Sequence, residues 1–229
     1  EQAHDSQLAL RRARTAIARA FDDLELLIAV LSDAEDAESW LEAGSISLFR
    51  TKNLPKAREL LERVIEHEIS QETDGPARLL SASESMATLY EAEGRSAEVV
   101  AYLENLLTRQ GVPDAVIARI LSLLAEREFA ATGDLTSARQ RFEGALEANP
   151  DELSALTGLA RLLASAGKHE EALPFAERAM ELLPEESDAE LKVDGLLVFS
   201  DVVGSLGKHG EAYRKLTAAL REQPDDPRL

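Results

Sequence analysis

The chain has no cysteine, so disulfides, thiolate nucleophiles and cysteine-ligated metals are excluded at once. Aromatic residues are scarce at 4%, and alanine and leucine dominate the apolar set, a balance that favours helix over strand. No apolar run approaches the roughly 18 residues of a membrane span. Positive charge is in deficit, with 25 Lys and Arg against 43 Asp and Glu, a formal net charge of -18. A phosphate backbone or an anionic bilayer needs clustered cations, so nucleic acid binding and direct membrane insertion by this segment are both disfavoured. Only six of the basic residues are Lys, which fits a GC-rich or a halophilic source equally. A starting Met is also missing, which implies that something upstream was removed. The cytoplasm is the first expectation, and a periplasmic site after loss of a signal or anchor the second.

What the chain does have is enough apolar content, 45% of 229 residues, to pack a core, and a phrase said three times. "ATGDLTSARQRFEGALEANPDE", "SAGKHEEALPFAERAMELLPEE" and "SLGKHGEAYRKLTAALREQPDD" align on four landmarks. Gly133, Gly167 and Gly207 mark a turn, and Pro150, Pro184 and Pro224 close each block. Ala138, Ala172 and Ala212 form one row of small residues, and Ala145, Ala179 and Ala219 another. The first step is 34 residues and the second 40, and a fixed lattice of small residues at such periods signals stacked helix pairs. Leu156, Leu159, Ala160, Leu162 and Leu163 make a helical stripe, predicting a helix over 154–166 that Gly167 ends, with a second helix over about 170–183. "NPDE" predicts Asn149 as the N-cap of the next helix, with Pro at its first position and acids in its first turn.

Upstream the pattern continues with altered spacing. Ser83-x2-Met86-Ala87-x2-Tyr90 leads to Gly94, Val99 and Leu103, and Trp40-x2-Ala43-Gly44-x2-Ser47 leads to Ala57, Leu61 and Val64. The turn "RTKNLPKA" has one extra residue, and "SQETDGP" forms a long connector. The segment 6–31 is helical by pattern, but its periodicity does not divide it into two helices. Trp40 and Met86 fall at core positions.

No catalytic constellation is present. The sequence has no P-loop, no dinucleotide fingerprint, no nucleophile elbow and no helical His pair for zinc. The acid pairs Glu170–Glu171, Glu185–Glu186 and Asp225–Asp226 sit at helix starts and repeat junctions, where they complement helix dipoles. His169 and His209 occupy equivalent turn positions, which marks a structural slot. The expectation is therefore no enzyme, no cofactor and no metal.

The lattice resembles the tetratricopeptide repeat family. The unit 153–186 carries Leu156-x2-Leu159-Ala160-x2-Leu163, Ala172, Ala179 and Pro184; the unit 119–152 carries Ser122-x2-Ala125-Glu126-x2-Phe129, Ala138, Ala145 and Pro150; and the unit 193–226 carries Leu196-x2-Phe199-Ser200-x2-Val203, Ala212, Ala219 and Pro224. The resemblance implies an all-α, right-handed α-solenoid of antiparallel helix pairs. Residues 1–36 would form an N-terminal helical segment, a degenerate repeat. Five repeats would follow at about 37–70, 80–113, 119–152, 153–186 and 193–226, with 227–229 as a tail.

It implies as well a concave groove, lined by the first helix of each pair, that binds a protein or peptide. The residues it places there are Thr88, Glu91, Arg127, Ala131, Thr157, Arg161, Ser165 and Asp201, with Ser81, Glu84, Leu123, Ser154, Asp194 and Leu197 beside them. Arg127 and Arg161 occupy equivalent positions and suit an acidic or carboxylate-bearing peptide, or else pair with the many nearby acids. Chaperone-tail clamps of the family use Asn where Leu124, Gly158 and Val198 stand here, which argues against that subclass. Tyr213, Leu216 and Leu220 would form an end interface, for self-association or another protein. A scaffold or adaptor is the first reading; an interaction or sensor part of a larger regulator, enzyme or envelope assembly is the alternative.

Overall fold

A computed structural model describes residues 2–71, 76–183 and 189–222. Pro184, Pro224, the pairs Glu185–Glu186 and Asp225–Asp226, part of the connector after Gln71 and the tail 227–229 lie outside the described residues. The described residues form twelve α-helices and no strand, and none of these helices is long and apolar enough to cross a membrane. The chain divides into two compact units, Glu1–Val116 and Ile117–Leu229.

Unit 1 opens with α1 (Gln2–Ala20) and α2 (Leu24–Ser32), so the helical segment at the N-terminus is two helices. Asp22 separates them in a left-handed conformation (φ 52°), and the Asp23 carboxylate caps α2 by accepting from Leu26 N–H at 3.0 Å. An Asp–Asp pair before an apolar run is a readable N-cap signal. Next come α3 (Ala37–Ser45), capped by Asp36, then α4 (Leu54–Gln71), α5 (Pro76–Ala92) and α6 (Ser96–Leu107). The extra residue before α4 is taken up inside the helix. α3 runs on into a π-helical turn, Ile46–Arg50, in which Thr51 N–H donates to Ile46 O five residues back at 3.1 Å. Lys52 then adopts a left-handed conformation (φ 56°), and Asn53 Oδ1 accepts from Lys56 N–H to cap α4. Trp40 is 5% exposed and Met86 1%, both in the core as the repeat requires. Each helix packs on the next, and α3 also packs on α5.

Helix α7 (Asp114–Thr132) lies mostly in unit 2, followed by α8 (Leu135–Ala148), α9 (Leu153–Ser165), α10 (His169–Leu182), α11 (Ala189–Ser205) and α12 (His209–Glu222). Ala138, Ala145, Ala172 and Ala179 are at most 1% exposed, so these members of the small-residue rows mark close helix crossings; Ala212 is buried at 9%, and Ala219 on the last helix is only half-buried. Gly133, Gly167 and Gly207 all take positive φ at the turns between paired helices. Lys168 N–H closes the end of α9 by donating to Leu163 O at 2.9 Å. Gly158 admits the Phe142 ring of α8, since a Cβ there would lie 2.4 Å from that ring.

The expected start of α9 needs correction. Asn149 ends α8 and accepts from Asp151 N–H through Oδ1 at 3.2 Å, a local turn, and the helix begins only at Leu153. Pro150 therefore sits in that turn, and the first turn of α9 carries no acid. The short Asn side chain satisfies the nearer backbone donor and leaves the helix start to Glu152, whose side chain makes no capping bond.

Candidate functional site

The first helices of the pairs carry the predicted residues. In unit 2 these are α7, α9 and α11. α9 packs on α11, and Arg119 of α7 donates to Ser154 Oγ at the start of α9. On the other side of α7, Glu128 accepts from Arg141 of α8 at 2.6 Å.

This row has one residue out of keeping with the lattice. Alignment of the sequence pattern places Gly44, Ala87, Glu126, Ala160 and Ser200 in the same slot. Ala87, Ala160 and Ser200 are buried at 4%, 0% and 7%, as a small residue at a helix crossing should be. Glu126 is too large for that slot and is exposed. Its carboxyl nevertheless has a raised pKa. Desolvation is the main cause and Asp194 adds to it, while Arg119, Arg161 and Arg127 pull the other way. The side chain is open to solvent, while neighbouring protein atoms replace part of its water shell.

Arg127 and Arg161 are thus both within electrostatic reach of one carboxylate, together with Arg119. Arg161 is exposed, and Arg127 is half-buried. Among the described residues Arg161 makes no ion pair. Arg119 and Glu126 were not among the expected groove residues. The signal for Glu126 was its size in a small-residue slot.

The other expected residues are distributed as follows. Ala131 and Asp201 are exposed on α7 and α11. Ser165 donates through its hydroxyl to Leu162 O at 2.8 Å. Thr157 is not on an open surface. It is 4% exposed, and its hydroxyl has no hydrogen-bond partner. The reason is that α9 packs against α8, α10 and α11, so residues 155–160 are buried without a break. Thr88 and Glu91 lie in unit 1, both exposed on α5, where the Thr88 hydroxyl donates to Glu84 O at 3.1 Å.

On α12, Tyr213 is 72% exposed and Leu220 42%, with Leu216 half-buried between them. His169 is half-buried with Nδ1 lacking a partner, and His209 is exposed, so the equivalent positions differ in surroundings. Among the described residues no three His, Asp or Glu side chains group as a metal site.

A family model described as Tetratricopeptide repeat matches residues 123–187. No curated relative matches the sequence. Among solved structures, BtubC from P. vanneervenii is 20% identical, with a TM-score of 0.58 over 95% of this chain and 89% of that one. MamA is 16% identical, with a TM-score of 0.50 over 79% and 94%. YrrB, described as a TPR protein with an unusual peptide-binding site, is 18% identical, with a TM-score of 0.46 over 87% and 93%. These likenesses are likenesses of fold. The repeat match makes residues 123–187 a tetratricopeptide-repeat segment, and the small-residue lattice and stacked helix pairs give the described residues the fold of such proteins.

Proposed function

We propose that the chain is a non-catalytic scaffold that holds an extended acidic segment of a partner protein along the first helices of unit 2. The observation that carries this reading is the placing of Arg127 and Arg161 at equivalent positions on α7 and α9, with Arg161 exposed and Arg127 half-buried. Guanidiniums bind carboxylates through charge-assisted hydrogen bonds, and their planar fork makes bidentate geometry available. Glu126 tempers their field, so an incoming acidic side chain competes with it for the same cations.

A second reading draws on another observation. The exposure of Tyr213 and Leu220 on α12 suits self-association or a protein contact through the last repeat. In either case the chain can act alone or as the interaction part of a larger regulator, enzyme or envelope assembly.

The test is a library of acidic, basic and neutral peptides displayed against the wild type and an Arg127→Glu/Arg161→Glu variant. The wild type should select acidic peptides, and the variant should lose them. Selection of basic peptides, or acidic selection that survives in the variant, refutes the groove reading. Sedimentation of wild type beside Tyr213→Lys tests the second: a dimer that dissociates on substitution supports it, and a wild-type monomer refutes it.

A further inference from the structure

Unit 1 carries a surface that the groove reading does not use. Between Ala9 and Phe21 the chain holds Arg11, Arg12, Arg14 and Arg19 and no acid. Without those four, the protein has 21 basic residues against 43 acidic ones. The most basic helix of a strongly acidic chain is therefore α1.

At 3.6 residues per turn, Arg11, Thr15 and Ala18 share one side of α1. That side faces the protein: Ala18 is fully buried, and Arg11 and Thr15 are half-buried. The opposite side presents Ala9, Ala13, Ala16 and Ala20, all exposed. Along its shoulder run Leu10, Ile17 and Phe21, exposed by 60%, 53% and 80%. The stripe is bordered by Arg14 on one side and by Arg12 and Arg19 on the other. Arg19 is neutralised by Glu42 at 2.6 Å, and Arg11 lies 3.8 Å from Asp36. Among the described residues Arg12 and Arg14 are exposed and make no ion pair.

We infer that the outer face of α1 is a docking surface for an acidic amphipathic helix of a partner protein. The geometry suits a helix, because the band of alanines lets a second backbone approach closely while the three large side chains interlock at its edge. The charge selects the occupant. Glutamates flanking the partner's apolar seam would meet Arg12 and Arg14.

A second copy is disfavoured in either arrangement. Pairing α1 with α1 sets arginine against arginine, and pairing it with α12 sets arginine against Arg214, Lys215 and Arg221, which outnumber Glu211 and Glu222. An anionic membrane is disfavoured as well, since the stripe is centred on alanines and the 43 acidic residues elsewhere are repelled by anionic headgroups.

The experiment uses the full chain and two labelled synthetic helical peptides, identical in a leucine seam but flanked by Glu in one and Lys in the other. Fluorescence anisotropy should show the Glu peptide binding about 10-fold or more tighter, an advantage that shrinks several-fold between roughly 50 and 500 mM salt. Phe21→Ser should weaken it by about 10-fold, and Arg12→Glu/Arg14→Glu should reverse the preference toward the Lys peptide. Both sites are exposed, and circular dichroism of each variant confirms that the fold survives. Equal binding of the two peptides, no binding, or indifference to the charge reversal overturns the inference. So does capture by phosphatidylcholine–phosphatidylserine vesicles, or a dimer that buries Phe21.

Discussion

Replacing Gly158 by alanine sets two physical effects against each other. Alanine is the better helix former by about 1 kcal/mol, and Gly158 lies mid-helix in α9, so propensity alone predicts stabilisation. The new methyl, however, would lie 2.4, 2.5 and 3.2 Å from three atoms of the Phe142 ring, where carbon contacts settle near about 3.5–4.0 Å. The ring has nowhere easy to go: Phe142 is 3% exposed within the core of unit 2. Displacement by about 1 Å belongs at the upper end of overpacking costs, about 3 kcal/mol, which leaves a net loss of about 2 kcal/mol.

A control sits on the neighbouring helix. Gly144 of α8 is also mid-helix, but its nearest neighbour to an added Cβ is Leu121 Cδ1 at an ordinary 3.7 Å. Gly144→Ala should therefore stabilise by up to about 1 kcal/mol. By thermal melting, Gly158→Ala should lower Tm by roughly 4–8 °C and Gly144→Ala should raise it by roughly 2–4 °C. Phe142→Leu makes room, so the double variant Gly158→Ala/Phe142→Leu should be more stable than the sum of its parts. If Gly158→Ala raises Tm as Gly144→Ala does, or if the double variant is additive, the packing argument is wrong.

Glu126 and Asp134 should give opposite pH signatures in urea titrations. Desolvation raises the folded-state pKa of Glu126, so its contribution to stability is present at acid pH and lost as pH rises through that raised value. Glu126→Gln should be more stable than wild type near pH 7, with the gain vanishing on acidification. Asp134 is held below its usual range by the Ser137 hydroxyl and the Thr136 and Ser137 N–H groups, so its contribution is present at neutral pH and lost as pH falls. Asp134→Asn should be less stable than wild type at neutral pH and match it in acid; parallel shifts in the two variants would refute the assignment. In unit 1, Arg78→Met should cost about 2 kcal/mol, because Glu68 is only 1% exposed and accepts from Arg78 at 2.9 and 3.3 Å. A loss under about 0.5 kcal/mol by denaturant titration would mean that water replaces the guanidinium.

The helix pairs of unit 2 were legible because their geometry is written in residues that tolerate little else. The buried alanines mark crossings, and Gly133, Gly167 and Gly207 mark turns with positive φ. The division of α1 from α2 falls at Asp22, in a left-handed conformation that Asp adopts more readily than most residues, and at the Asp23 cap; the apolar pattern runs straight across both and hides that local signal. Thr157 was read from its position in the repeat, yet its exposure depends on how many helices surround α9, and no single repeat contains that information. Arg127 and Arg161 were readable as equivalent positions. Their shared approach to Glu126 required the fold, although the oversized residue in a small slot was already a sign that this repeat departs from the others.

The π-helical turn at Ile46–Arg50 bears on where such a chain can gain a residue. Insertions are ordinarily absorbed by loops, which lie on the surface and carry few constraints. Here the surplus residue is absorbed within a helix, where the widened turn leaves Phe49 51% exposed. Ala43 and Ala57 on either side of it remain fully buried, so the crossing of α3 and α4 is kept. The family match covers only 123–187, a stretch in which two repeats succeed each other at 34 residues. Evolution of a stacked-helix protein can thus proceed by single-residue slips hidden in helical geometry, with the distance between crossings preserved while the residue count between them drifts.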